Sequence, residues 1–539
     1  MSNVRPYNNK ELLLFPPSVG DYLPKDDLAH VVDEAVEQID LTPYYRKLSS
    51  VGNPSYDPAL EIKVWFYGYC VEAYSSRKIE DKLHRDISFI YLAGMQKPDF
   101  RTISDFRKNN LNELRNSFVD IVQICHRLGM TKLGHIALDS KVMKANASAS
   151  NTYDEKEIIK ERQEIEKEIE KYLQKANQTD EQEDKLYGPD KCGNELPEDI
   201  RKKEDRIKKI KRIAEQLSQA QEKLKTSGKK KINTTDEDAQ FQKDKTRIIP
   251  GYRGQAVVDS TEQIIIATDV TNEQSDYAQL IPMLDKTLEN IDKIDPPMEK
   301  LKEQNNISND KQDNKEQDNE KRKINLTGDA GYNNGNNLAE LEKKKYKEKF
   351  EAYIPDSIYK NNTYPINRKE DNPQKKTFFD KSKFIYHKDI DKFECPNKKL
   401  LDYVSNFKQD GHLVFCYQCD SCKSCPLFSK CTTSETGRTI HVSEHQPLID
   451  KMRQKLSTKE GKKIYGKRKT IVEPVFGNMS HNLGFREFLL RGIEKVKGEF
   501  SLMCNAHNLR KMARFTREMG LTLKEALVMS ELMPVYSNS

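Results

Sequence analysis

No apolar run in the 539 residues approaches the ~18 needed to cross a bilayer, which argues against a membrane-spanning role. A GxxxxGK[ST] loop is also missing, so the chain lacks that backbone cradle for a nucleotide's phosphates. Excess charge of one sign is lacking as well: 91 Lys+Arg face 85 Asp+Glu, and the resulting +6 says little about partners. The start, MSNVRPYNNKELLLFPPS, has no basic head, sufficient apolar stretch or small-residue cleavage site, so a cytosolic location is expected. Cysteine is sparse outside one segment, with five of the ten lying between Cys416 and Cys431. In a chain without a secretion signal such crowding reads as metal binding before disulfides.

What is present suits a soluble protein of about three or four domains, with 36% apolar and 33% charged residues. Helical spacing of Leu60, Val64, Tyr67 and Val71 predicts a helix after an Asp57 cap and Pro58. A second helix is expected from Ser76 to near Gly94, and a third capped by Thr102 or Ser104. Short helices joined by tight turns suit a helix-turn-helix-like module, with Arg77, Lys78, Arg85, Arg101, Arg107 and Lys108 as candidate phosphate contacts. A plain helical bundle gives the same pattern, and residues 1–135 carry 17 basic against 18 acidic side chains.

Next comes a strand-like stretch, GHIALDSKVM, then a charged arm. Ile158, Ile165, Ile169, Tyr172 and Leu173, with Ile207, Ile210, Ile213, Leu217 and Leu224, predict an antiparallel helical hairpin with one apolar seam. RGQAVVDS and QIIIATDV predict two strands, and DYAQLIPMLDKTLENIDKI a helix. The polar run after it predicts a disordered loop. INLTGDAGYNNGNNLAELEKK then reads as strand, turn and helix, which makes the core α/β.

Asp139 and Asp329 terminate apolar strand-like runs, where a carboxylate costs desolvation energy unless a cation compensates it. Either alone also suits a turn or a cap. A third acid, Glu473, follows a basic run: Lys451 to Lys469 holds nine Lys or Arg and one acid. Over residues 451–539 the count is 18 basic to 8 acidic, so the basic charge is concentrated here. Basic residues that hold a polyanion beside a carboxylate that holds a divalent ion suit phosphate chemistry.

Four segments in order, SRKIEDKLHRD with PDFRTISDFR, IALDSKVMKANAS, LTGDAGYNNG, and TIVEPVFGNMSHNLGFREFLLRGIEKVKGEFSLMCNAHNLRKM, resemble the DDE transposases of bacterial insertion sequences. The linking segment from TTDEDAQFQK to IIIATDVTNEQSDYAQLIPML is similar too, so the likeness runs from about residue 40 to 515. It implies an RNase H-like (retroviral integrase-type) mixed-sheet core, an all-α N-terminal domain, a helical-hairpin insertion and a small Cys-rich insertion. The boundaries expected are 1–132 for the helical DNA-binding domain, 133–152 and 229–345 for the first parts of the core, and 153–228 for the hairpin. The disordered loop is placed at 301–323, the insertion with its zinc-binding segment at 346–450, the core's C-terminal helices at 451–520 and a tail at 521–539.

The resemblance also implies that Asp139, Asp329 and Glu473, 190 and 144 residues apart, converge to hold two Mg²⁺ or Mn²⁺ ions. Asp139 would end the first core strand, Asp329 the fourth, and Glu473 would lie on a helix beside them. The reaction implied is cleavage at the element's terminal inverted repeats followed by strand transfer into target DNA. A homodimer in the active complex, a nucleoid-associated cytoplasmic location and no membrane partner go with it. Many relatives carry a tyrosine and an arginine before the glutamate and a lysine after it. Here Tyr465 and Arg468 stand one residue further away than that spacing asks, Lys469 lies closer, and Ser480 holds the lysine's position. Tyr465, Arg468, Lys469 and Arg491 are therefore candidate DNA contacts. Two alternatives are a decayed transposase acting as a repressor and a nuclease indifferent to terminal sequence.

The spacing FCYQCDSCKSCPLFSKC lets thiolates from one tight turn reach a tetrahedral ion. The family-like pattern suggests Cys395, Cys422, Cys425 and Cys431 for a structural Zn²⁺, with Cys416 and Cys419 as alternates. Cys70, Cys125 and Cys504 are expected in the core, and His507 as a packing or hydrogen-bonding residue.

Overall fold

A computed structural model describes residues 18–48, 54–187, 198–228, 230–244, 247–295, 323–356, 359, 378–379, 381–409 and 411–532. Helices lead: α1 (Leu28–Val36), α2 (Thr42–Tyr45), α3 (Pro58–Cys70), α4 (Ser76–Arg85), α5 (Ile87–Leu92), α6 (Phe100–Asn109) and α7 (Leu111–Arg127). Asp57 caps α3 through the Ala59 N–H at 2.8 Å, with Pro58 in the first turn. The helix expected from Ser76 to Gly94 is two helices. Extended backbone at Asp86 breaks it, and the Asp86 carboxylate caps α5. The third helix, expected to run on to Leu128, is broken at Asn110 into α6 and α7, and Asp99 caps α6 by accepting the Thr102 N–H at 2.7 Å, so Thr102 lies inside it.

A six-stranded mixed sheet follows. β1 (His135–Lys144) is its centre. A two-residue ladder of β2 (Thr152–Tyr153) and β3 (Ile232–Asn233) closes the base of the arm. The arm is α8 (Glu155–Tyr187) and α9 (Glu198–Ser227), packed through Ile158, Ile165, Ile210, Leu217 and Leu224. Ile213, expected in that seam, is 40% exposed, and the neighbouring Ala214 packs against the seam instead. The side chains of Tyr172, Leu173 and Ile207 lie outside the described residues, as does the expected disordered loop apart from Lys323.

β4 (Gln240–Asp244), β5 (Arg247–Asp259) and β6 (Ile265–Thr271) continue the sheet, β5 running antiparallel to β1, β4 and β6. Helix α10 (Leu280–Ile294) packs on β6. β7 (Ile324–Gly328) and β8 (Phe350–Tyr353) add parallel strands on the other side of β1. Order across the sheet is β4-β5-β1-β7-β8, with β6 also on β5. Helix α11 (Gly335–Leu341) follows β7.

A second, antiparallel sheet carries the cysteines: β9 (Ile385–His387), β10 (Lys392–Glu394), β11 (Leu400–Gln409), β12 (His412–Gln418) and β13 (Thr439–Ser443). The chain returns through α12 (Gln446–Ser457), α13 (Lys459–Gly466) and α14 (Arg468–Gly477), then a π-turn at Asn478–Asn482. The long α15 (Ile493–Met519) and α16 (Leu523–Leu532) finish it. α15 is buried on every side from Gly498 to Leu509 and packs against α3, α7 and β6. One continuous core therefore unites the N-terminal helices with the main sheet. Cys70, Cys125 and Cys504 lie in it, as expected.

Candidate active site

Parallel pairing of β1 with β7 ends at Leu138 opposite Gly328, so Asp139 and Asp329 are the next residues on neighbouring strands. Asp329 does follow its strand. Asp139 does not end β1, because antiparallel pairing with β5 carries that strand on to Lys144. It stands instead where β1 loses its parallel neighbour. Helix α14, bearing Glu473, packs across β1, with Ile471, Val472, Val475 and Phe476 buried and Glu473 exposed.

Arg468, 7% exposed, opens that helix and holds Asp139 in an ion pair at 2.7 Å. The Ser140 N–H donates to the other carboxylate oxygen at 2.9 Å. Burial pushes Asp139 up to about 6 despite Arg468 and that N–H, and the charges of Asp329 and Asp276 push the same way. Burial works against the Arg468 charge, but Asp139, Asp329, Tyr465 and Glu473 together raise its pKa. All three acids therefore lie within electrostatic reach of one guanidinium.

Sequence reasoning missed a polar network on the opposite face of the sheet. Asp276 accepts hydrogen bonds from Ser140 at 2.8 Å and Gln255 at 2.7 Å, and pairs with Arg253 at 3.1 Å. Tyr332, fully buried three residues beyond Asp329, donates to Gln255. Asp276 lies five residues beyond the end of β6, in a polar stretch, so it closes no apolar run as Asp139 and Asp329 do.

The proposed DNA contacts divide. Arg77 and Arg101 are exposed and lie over the Phe100 ring, at 4.2 and 5.7 Å from its centre, and Lys78 is exposed beside them. Arg107 is instead buried at 8%, lying over Trp65 at 4.2 Å and donating to the Tyr69 hydroxyl. Its position on the inner face of α6 turned the expected surface cation into a core residue. Tyr465 is buried edge-on against Tyr359, and Arg468 is occupied by Asp139, so neither presents an open surface. Lys469 is exposed, and Arg491 is exposed while bonded to Asn146.

Cys395, Cys422, Cys425 and Cys431 line one cavity of about 30 Å³, which Cys416 and Cys419 do not. Gly437, at φ +95°, keeps the adjoining turn close: a Cβ there would stand 2.6 Å from Cys422 Cβ. Burial raises the Cys422 and Cys431 thiols. Among the described residues, no three His, Cys, Asp or Glu side chains are drawn together tightly enough to grip a metal ion as they stand. His507 bonds through both ring nitrogens, to Asn478 at 3.0 Å and the Gln263 carbonyl at 2.9 Å, which makes it a structural residue.

Residues 17–109 match the family model of a transposase domain (DUF772), and residues 394–513 match that of a transposase DDE domain, which includes Glu473 and the cysteines. No curated protein and no solved structure matches the chain. One transposase domain match thus covers the N-terminal helices and another the segment that brings Glu473 onto the sheet, and together they support a DDE transposase of the insertion-sequence type.

Proposed function

We propose that this transposase binds the terminal repeats of its element through the N-terminal helices and cleaves and joins DNA strands at Asp139, Asp329 and Glu473. The observation that carries this is the gathering of acids 190 and 144 residues apart around the Arg468 guanidinium, beside the basic segment Lys451–Lys469. Sheet order supports an RNase H-like core: a central β1, antiparallel β5 on one side, parallel β7 on the other, and the glutamate helix across β1.

Mg²⁺ fits the acids by donor chemistry, since the partly buried carboxylates are oxygen ligands that already draw in one cation. Two such ions, when bound, would activate the attacking oxygen and stabilise the leaving 3′ oxygen. The chain's own work is to bring the three carboxylates to one region of the sheet, with Asp139 and Asp329 next to the paired ends of β1 and β7 and Glu473 on α14 across β1. In the first step a water oxygen bonds to phosphorus, the bond to the 3′ oxygen breaks and a proton completes the 3′-OH. In the second that 3′ oxygen attacks a target phosphodiester and displaces its 3′ oxygen. Processing two ends requires two such sites, which calls for a homodimer. Zn²⁺ suits the Cys395, Cys422, Cys425 and Cys431 cavity by donor chemistry, because all four thiols line it, and an all-thiolate site is structural.

Cleavage of duplexes carrying the element's termini tests this reading. Each single alanine replacement of Asp139, Asp329 and Glu473 abolishes nicking and leaves the gel shift intact. Mg²⁺-dependent nicking retained in all three variants refutes the assignment, and a wild-type protein that shifts the DNA without nicking it is a repressor.

A further inference from the structure

Position 480, after the glutamate helix, holds a serine with an 8% exposed side chain. The Ser480 hydroxyl donates to the Phe476 carbonyl at 2.7 Å and accepts from the Lys141 ammonium. Lys141 also donates to the Phe476 carbonyl at 3.2 Å. Side chains two apart on a strand share a face, so Lys141 leaves β1 on the face that carries Asp139, ~7 Å further along. Phe476 lies three residues beyond Glu473, ~4.5 Å along the helix axis. A lysine from the strand therefore places its charge within about a turn of Glu473 and two residues of Asp139. Its position is maintained by the end of the helix and by the π-helical turn Asn478–Asn482, which carries Ser480.

We propose that Lys141 is a phosphate-gripping cation of the active site, delivered by β1 to the place beside the glutamate helix, and that Ser480 is its docking group in the DNA-free protein. The inference rests on the function proposed above. A neutral hydroxyl and a helix-end carbonyl are acceptors that a phosphate oxygen replaces with a stronger, charged one. A lysine at 480 and one at 141 would crowd the same space, so the serine there is the complement of Lys141. Lys141 is a contact and positioning residue for the DNA backbone next to the cut, while bond making stays with the three acids.

The test uses the full chain and duplexes made from the DNA flanking its coding region. Affinity is measured against salt concentration in EDTA, and nicking in Mg²⁺, for wild type, Lys141→Ala, Lys141→Arg and Lys141→Ala with Ser480→Lys. Loss of one phosphate contact flattens the log–log salt slope by about 0.9 in Lys141→Ala. Nicking falls on the order of 10- to 100-fold, as expected when the cut phosphate is misplaced. Arginine at 141, or the lysine moved to 480, restores both. An unchanged salt slope overturns the proposal, as does a nicking loss that follows only a lowered melting temperature and is not recovered by the moved lysine. If wild type never nicks but the slope still flattens, the proposed catalysis fails and the phosphate contact stands.

Discussion

Replacing Arg468 by alanine isolates the electrostatics of the site. The guanidinium is 8% exposed at the side chain, its Asp139 partner 20%, and they meet at 2.7 Å. Without it, the Asp139 carboxylate keeps the Ser140 N–H but faces the charges of Asp329 and Asp276 uncompensated. Breaking a buried pair from one side costs about 3–5 kcal/mol, and this pair, with Asp139 partly open to water, belongs at the lower end. Urea unfolding in EDTA at pH 8 measures the loss. Repeating it in an Asp139→Asn background closes a double-mutant cycle, in which most of the loss vanishes because no carboxylate is left stranded. A coupling of about 2–3 kcal/mol is expected. Saturating Mg²⁺ stabilises Arg468→Ala more than wild type, since the ion then fills a site with no competing cation. A loss of equal size with Asp or Asn at 139, and equal stabilisation by Mg²⁺ in both proteins, refutes the claim that Arg468 compensates these acids.

Two further outcomes follow from other parts of the chain. Glu61 is 1% exposed with neither carboxylate oxygen hydrogen-bonded, and burial, helped by Asp99, pushes it up to about 7 from 4.5. The folded protein thus keeps a proton that the unfolded chain gives up between those values. Stability falls as pH rises through that window, by about 3 kcal/mol in all, and Glu61→Gln flattens the profile in denaturant titrations at pH 4 and pH 8. Gly437→Ala combines a φ of +95° with a Cβ 2.6 Å from that of Cys422, so it opens the thiol turn. Elemental analysis should find about one zinc per wild-type chain and much less in this variant.

The sequence marked Asp139, Asp329 and Glu473 as candidates, each an acid closing an apolar run or one beside nine basic residues, and the likeness to the transposases grouped them. Asp276 bore no such mark and was overlooked, since its purpose shows only when Ser140, Arg253 and Gln255 meet it across β1 and β5. The caps at Asp86 and Asp99 were missed for a smaller reason. Several side chains near each helix start could accept the free N–H groups, and local geometry chose among them.

Periodicity and turn chemistry, which act over a few residues, were enough for α3, α10, the strands β1, β5, β6 and β7 and the arm, but not for the breaks inside the expected helices or for the five strands that carry the cysteines. Which charged side chains face water was decided by packing. Arg107 and Arg468 look alike in sequence to Arg77 and Arg101, yet one lies over Trp65 and the other against Asp139. Tertiary structure also brought Lys141 to Ser480, 339 residues away. Contacts of that separation depend on sheet register and on where α14 crosses it, and no local pattern of residues encodes either.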